Sequence, residues 1–352
     1  MTKINMKGKN VVTTQELSVD EIRALLKLAA EMKGDRYADK WAELMKRQTF
    51  IMFFYNPSLR TRQSFEAAAT ELGGHAQFIE PKAMRLKGVK KGDLEVAGET
   101  IHDAAKVMDR YAVGLGIRIL ETSVDNYGDG NQLLREYAKY TNIPVINMAD
   151  DIYHPCQGLA DMLGMQEHNN NQPTKGKTIL QTWAKGALAR SYCSVHESLL
   201  INSRLGVNVR LAYPGDQYEL PKDIIEKAKR NAEEAGGTFE IVKGDPKAAY
   251  EGVDYVYSRN WFGKDFYEIG KAAEIERATS GKYADWICDE EKMKTANPGC
   301  KFIHPMPVDE GSEVTREVNQ GPRSIILDVA ENRLHVQKAI MAMTIAGYEV
   351  EL

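Results

Sequence analysis

Cysteine is scarce in this chain. Cys156, Cys193, Cys288 and Cys300 lie far apart with no Cys-x-x-Cys pair. That spacing argues against a disulfide framework and a thiolate zinc site, and for a reducing, cytoplasmic compartment. Long apolar runs are missing too: none approaches the ~20 residues of a membrane span. The opening Met-Thr-Lys-Ile-Asn-Met leads into polar residues without the apolar stretch of a signal peptide. A soluble protein with no membrane partner is expected. Neither sign of charge dominates, with 46 Lys and Arg against 50 Asp and Glu and a net charge of −4. Nothing draws the whole chain to nucleic acid, so any basic feature must be local. Nucleotide motifs are absent as well. Gly114-Leu115-Gly116 lacks the third glycine of a dinucleotide fingerprint, and Gly176-Lys177-Thr178 lacks the upstream glycine of a P-loop. There is no His-Glu-x-x-His and no Gly-x-Ser-x-Gly, so NAD, ATP and metal-hydrolase readings lose their usual support.

What is present is a soluble globular composition, 43% hydrophobic and 27% charged, over 352 residues. That length suits two domains of roughly 150 residues. The most informative stretch is Asn56-Pro57-Ser58-Leu59-Arg60-Thr61-Arg62. It follows the apolar run Thr49 to Tyr55, which reads as a buried strand. Behind it Phe65, Ala68, Ala69 and Leu72 recur at helical spacing until Gly73-Gly74. Ser58 to Arg62 thus sits where a strand feeds the first turn of a helix, a place that already favours an anion. Two hydroxyls and two guanidinium groups there suit a phosphate, which Arg can grip bidentately. The plainer alternative is a capped helix whose arginines face water.

The rest of the chain alternates. Ser18 to Glu21 is a capping box opening a helix through Met32. Strands are expected at His75 to Glu80, Val113 to Leu120 and Ile143 to Met148, and helices at Thr100 to Tyr111 and Gln132 to Tyr140. Pro81 to Gly98 is an irregular basic loop, the sort that is usually functional or disordered. His154-Pro155-Cys156-Gln157 opens a helix to about Glu167, and Asn169 to Thr174 marks a boundary. A second series follows: strands at Thr178 to Trp183, Val207 to Tyr213, Phe239 to Val242, Tyr255 to Ser258 and Phe302 to His304, with helices at Arg190 to Arg204 and Lys222 to Ala235. Arg333 to Ile345 is an apolar helix able to dock on the first domain. The fold class is α/β, two doubly wound parallel-sheet domains. The first covers residues 1–168 with the terminal helix 333–352, the second residues 169–332.

Polar residues gather at the carboxyl ends of strands, where open α/β sheets bind ligands: Ser58 to Arg62, Arg118, His154 with Gln157, and His304-Pro305-Met306-Pro307. Ser58-x-Arg60-Thr61-Arg62, His154-Pro155-x-Gln157 and His304-Pro305-Met306-Pro307 resemble the motifs of the carbamoyltransferase family, which includes the aspartate and ornithine enzymes. The resemblance covers nearly the whole chain in the expected order. Ala330-Glu331-Asn332-Arg333 is similar to the ornithine-type branch; Thr182-Trp183 and Tyr257 to Trp261 look more like the acetylornithine-type branch. That branch implies a trefoil knot in the second domain.

The resemblance implies carbamoyl transfer between carbamoyl phosphate and an amino group of a small amino acid or diamine, without cofactor or metal. Ser58, Leu59, Arg60, Thr61, Arg62, Arg118 and Arg333 would bind carbamoyl phosphate with His154 and Gln157. Arg60, Thr61 and His154 would donate to the carbonyl oxygen, and Gln157 with the backbone carbonyls of His304 to Met306 would accept from the carbamoyl nitrogen. A homotrimer is implied, because in this family a neighbouring subunit's loop completes the site; Lys87, Lys90 and Lys91 are candidates for that contact.

The acceptor is less fixed. Pro305 replaces the Cys of the ornithine and acetylornithine types, and neither the aspartate type's basic acceptor loop nor the ornithine type's Ser-Met-Gly triplet is present. Asp150 and Asp151 could pair with an acceptor amine or form a solvated acidic turn. Arg259 could hold an acceptor carboxylate or be an exposed turn residue. Trp261 could meet the acceptor or only pack. A short diamino acid and N-acetylornithine both remain open as acceptors. So does a non-catalytic relative that merely binds carbamoyl phosphate. A nucleotide-using α/β enzyme is a weaker alternative.

Overall fold

A computed structural model describes residues 2–82, 86 and 98–352 of the chain. They form two compact units: residues 1–163 with 331–352, and residues 164–330. The divisions fall inside two helices, Pro155–Glu167 and Ile326–Met341. Lys87, Lys90 and Lys91 lie outside the described residues.

In the first unit β1 (Lys3–Ile4) precedes four parallel strands, β2 (Thr49–Phe54), β3 (His75–Ile79), β4 (Gly114–Arg118) and β5 (Val145–Ala149). Their order across the sheet is β3-β2-β4-β5, so the direction of winding reverses between β2 and β4. β2 is buried from Phe50 to Phe54, and Phe50 stacks on Phe65 of the following helix at 5.6 Å. The glycines of Gly114-Leu115-Gly116 serve packing rather than a phosphate turn. A Cβ on Gly114 would meet Ile345 Cδ1 at 2.7 Å, and one on Gly116 would meet Met148 Sδ at 2.8 Å, so only glycine lets these side chains lie on the strand.

The second unit holds β6 (Thr178–Trp183), β7 (Asn208–Tyr213), β8 (Phe239–Lys243), β9 (Tyr255–Arg259) and β10 (Lys301–Ile303). All pair in parallel in the order β10-β9-β6-β7-β8, which puts the reversal between β6 and β9. A final strand, β11 (Val350–Glu351), pairs antiparallel with β1. Its two-residue length leaves no periodic signal in the sequence.

Several helices differ from expectation; the terminal one, expected from Arg333, runs Ile326–Met341. The one expected from Arg190 begins at Cys193, because tertiary bonds hold the preceding loop. Arg190 N donates to Asn260 Oδ1 at 3.2 Å, and Phe262 N donates to Arg190 O at 3.1 Å. Phe266–Ala278 was not anticipated; Gly270, at φ 78°, interrupts its helical backbone.

Candidate active site

The reversal in each sheet falls where the polar motifs stand. In the first unit Ser58 is the N-cap of the helix Leu59–Glu71 and accepts from Thr61 N at 3.3 Å, as an N-cap serine should. Its hydroxyl also bonds Thr61 Oγ1 at 3.1 Å. From the far end of the sequence, Arg333 Nη2 donates to Thr61 Oγ1 at 3.3 Å while Nη1 donates to Gln157 Oε1 at 2.9 Å. Gln157 Nε2 in turn donates to Asp161 Oδ1 at 2.8 Å. One continuous chain of bonds thus joins Ser58, Thr61, Arg333, Gln157 and Asp161. Arg333, Thr61, Gln157, His154 and Asp161 are all buried. Buried hydrogen-bond networks of this kind hold side chains in one arrangement before any ligand arrives.

His154 precedes the helix Pro155–Glu167, and its carbonyl accepts from Gln157 N at 2.9 Å. Proline suits the first helical position because its missing N–H is unneeded there. Arg118 ends β4 opposite Phe54, at a register shift against β5 that displaces the strand end. Arg60 stands in the first helical turn, half-buried, and Leu59 beside it is exposed. Arg62 pairs through Nε with Glu66 Oε1 at 2.9 Å, and its guanidinium lies 4.0 Å over the Phe78 ring. A cavity of about 140 Å³ opens at the ends of β2 and β3, lined by Tyr55, Pro57, Phe78, Glu80 and Lys82 among others.

Sequence reasoning missed Asn56. Its Oδ1 accepts from Leu120 N and its Nδ2 donates to Thr122 Oγ1, both at 2.6 Å. It therefore ties the loop after β2 to the loop after β4, across the reversal. Asp161, four residues beyond Gln157 on one helix face, was findable from spacing alone.

The acidic pair is a buried structural element rather than a solvated turn. Asp151 Oδ2 accepts from Gly128 N at 2.6 Å and Oδ1 from Asn131 N at 3.0 Å. It caps the helix Asp129–Tyr140 from a distance, since Gly128 has no side chain to do so. Asp150 accepts from Asn131 Nδ2, Asn147 Nδ2 and the N–H groups of Ile152 and Tyr153. Burial, with the charge of Asp151, pushes Asp150 up to about 7, against the pull of those donors. Each oxygen of both carboxylates accepts at least one hydrogen bond.

In the second unit Arg259 ends β9 and is buried, not an exposed turn residue. Its Nε and Nη1 have no hydrogen-bond acceptor among the described residues. Trp261 is fully buried; its indole N–H donates to Tyr218 O at 2.9 Å and its carbonyl accepts from Trp183 Nε1 at 2.8 Å. Trp261 thus packs in the core of the second unit.

His304, just past β10, accepts from Met306 N at Nδ1 over 2.9 Å and sets Nε2 3.0 Å from Glu313 Oε2. The first bond leaves the ring proton on Nε2, donated to Glu313. Met306 sits at φ 55°, a costly backbone for a residue with a side chain; the His304 bond holds it there. Pro305 keeps the chain rigid between them.

Glu313 was also missed. It is fully buried and receives Asn260 N at 2.7 Å and Asp309 N at 2.8 Å besides His304. Burial alone would raise its pKa. The facing His304 ring, their hydrogen bond and the Arg259 charge outweigh burial and hold it at about 2. Burial drives His304 the other way, below its ordinary value. Among the described residues no group of three or more His, Cys, Asp or Glu could hold a metal ion. No helix among them is long and apolar enough to cross a membrane.

Two parallel-sheet units, each with polar side chains at its reversal, form an α/β architecture suited to binding a small ligand at each strand edge. Residues 9–167 match the carbamoyl-P binding domain of aspartate/ornithine carbamoyltransferases, and residues 186–344 match their Asp/Orn binding domain. The chain is 37% identical over 344 residues to N-acetylornithine carbamoyltransferase of Xanthomonas axonopodis pv. citri, covering 96% of each. It is 32% identical to ornithine carbamoyltransferase of Pyrococcus abyssi, covering 98% of each. A crystal structure of acetylornithine transcarbamylase complexed with acetylcitrulline superposes with a TM-score of 0.85 at 34% identity, over 96% of this chain and 99% of that one. A variant of N-acetyl-L-ornithine transcarbamylase complexed with carbamyl phosphate and N-succinyl-L-norvaline gives 0.85 at 35% identity, over 95% and 99%. The chain belongs to the aspartate/ornithine carbamoyltransferase family.

Proposed function

We propose that the first unit binds carbamoyl phosphate and the second binds an amine acceptor that carries a carboxylate. The observation that carries the reading is the Arg333 bridge, which joins Thr61 of one motif to Gln157 of another. Ser58, Thr61, Arg62, Arg118 and Arg333 then hold the phosphate, with Leu59 at the rim. Arg60, Thr61 and His154 stabilise the carbonyl oxygen as the amine attacks the carbamoyl carbon. Donors held ready for such an oxyanion are each worth about 3 kcal/mol. The bond from that carbon to the phosphate oxygen breaks, and the departing phosphate can take the amine's proton. Position and charge are what the protein supplies. Gln157 accepts from the carbamoyl nitrogen.

For the acceptor, Arg259 offers buried donors suited to a carboxylate. Asp151 is buried and holds a helix N-terminus, which makes it a poorer partner for a second ammonium group. The second point favours an acceptor of the N-acetylornithine type over a short diamino acid. The same reading carries a homotrimer, a trefoil knot in the second domain and a cytoplasmic setting; light scattering in solution tests the first of these.

The experiment for the activity is to supply carbamoyl phosphate with a panel of amines and follow phosphate release. Release that depends on one amine, with its ureido product, supports the reading. Release unchanged by every amine supports a non-catalytic binder instead.

A further inference from the structure

The first unit buries one cation that the carbamoyl phosphate site does not use. Lys338 lies beyond Arg333 on the helix Ile326–Met341, and its side chain is fully buried. Its Nζ donates to Glu71 Oε2 and to Arg36 O, both at 2.9 Å. Glu71 is the last residue of the helix Leu59–Glu71, whose opposite end carries the Ser58 cap and Thr61. The other Glu71 oxygen takes Arg36 Nε at 3.0 Å and Nη2 at 2.6 Å. Burial pushes the Glu71 carboxyl up, but the Arg36 and Lys338 bonds outweigh it and hold the group below its ordinary value. A charge withdrawn from water is stable only with such a partner.

The helix that carries Arg333 is thus joined to the helix Leu59–Glu71 at two levels, all within the first unit. Arg333 reaches Thr61 in the first turn of that neighbour, and Lys338, further along its own helix, reaches Glu71 at the last. The two contacts are unequal. Arg333 Nη2 stands 3.3 Å from a neutral hydroxyl, whereas Lys338 meets a carboxylate at 2.9 Å. Bonds in which both groups are ionised are roughly twice as strong as neutral ones. The ionic contact therefore sets where the helix lies along its neighbour, and Arg333 is carried into place with it. Lys33, from the helix Val19–Gly34, grips the residue just before Arg333, donating to Asn332 Oδ1 at 2.8 Å. Held on both sides in sequence, Arg333 stays within 2.9 Å of Gln157 Oε1.

We propose that Lys338, through its bond to Glu71, is a positioning residue for carbamoyl phosphate: it fixes the level of the Arg333 guanidinium without touching the ligand. This rests on the carbamoyl phosphate site proposed above and adds a residue to it from outside. A shift of about 1 Å far from the chemistry can cost about a hundredfold, so loss of the pair is expected in ligand binding as well as in stability.

The test is calorimetric titration with carbamoyl phosphate. The chains compared are the parent, Lys338→Met, Glu71→Gln, Arg333→Ala, and Arg333→Ala combined with Lys338→Met. Lys338→Met and Glu71→Gln are each expected to weaken binding by about tenfold or more, because each cuts the same bond. In the Arg333→Ala background, Lys338→Met is expected to add less than about twofold, since the group it positions is gone. Melting temperatures show which variants fold. If Lys338→Met does not, combining it with Glu71→Leu removes both charges together and keeps the helices packed; the same loss of binding is expected there. Unchanged affinity in a folded chain that lacks the pair overturns the proposal. So does an equal loss with and without Arg333: Lys338 then serves the scaffold alone, and the carbamoyl phosphate site stands. A parent chain that does not bind carbamoyl phosphate overturns that site and this inference together.

Discussion

The carboxyl edges of the two sheets are built to the same topological plan and finished differently. In the first unit, side chains from three distant motifs bond one another, through Ser58, Thr61, Arg333 and Gln157. In the second, the fixed elements are backbone segments, stapled by the Glu313 carboxylate, while Arg259 keeps donors without acceptors among the described residues. A ligand meeting the first edge finds donors already aimed. One meeting the second finds a firm frame around unsatisfied charge. The first arrangement suits a small, invariant phosphate ester; the second suits a group whose identity differs among relatives.

The sharpest way to break this comparison is at Arg60. Arg60→Ala is expected to lower kcat by about 10²–10³, the usual cost of losing one oxyanion donor; steady-state carbamoyl transfer checks it, and activity within about tenfold of the parent would remove Arg60 from the chemistry. Next is Arg333→Ala, which leaves Gln157 Oε1 and Thr61 Oγ1 without their shared donor. Denaturant melts should show a loss of ~1–3 kcal/mol, and calorimetry a weaker grip on carbamoyl phosphate. If binding is untouched, the bridge belongs to the scaffold alone.

On the second edge the measurement is stability against pH. The folded pKa of Glu313 lies below its unfolded value, so its contribution is complete above the unfolded value of about 4.3. It is lost as pH falls toward about 2. Melting temperatures taken downward from pH 5 should therefore fall more steeply in the parent than in Glu313→Gln. Parallel curves would show that the carboxylate is not held ionised by the fold. The smallest effect is expected at Asp151. Asp151→Ala should cost ~1 kcal/mol of stability as a lost helix cap while changing the acceptor KM less than its neighbours at the second edge do. A large rise in that KM would return Asp151 to the acceptor site.

Most strands could be placed from residue pattern. β2, for instance, is a continuous apolar run bounded by polar residues, and its burial on both faces follows from helices flanking a parallel sheet. The Ser58 cap was legible for the same local reason: a hydroxyl three residues before a helical N–H has one obvious partner. Arg190 was misread as helical because its backbone conformation is set by Asn260 and Phe262, seventy residues away. Asp151 and Trp261 were offered to the acceptor because a polar or aromatic residue near a motif invites it. Only the fold shows the structural bonds both also make, to Gly128 and Asn131 and to Tyr218 and Trp183.

By itself, then, the order of residues settled the alternation of strand and helix and the local cap-and-anion chemistry, since both depend on neighbours within a few positions. Which arginine bridges, which stands unpaired and which carboxylate is already consumed was decided by folding alone. Those outcomes hinge on groups brought within 3 Å of each other from opposite ends of the chain, as Arg333 and Thr61 nearly are, and burial then makes each such pairing, or its lack, cost energy.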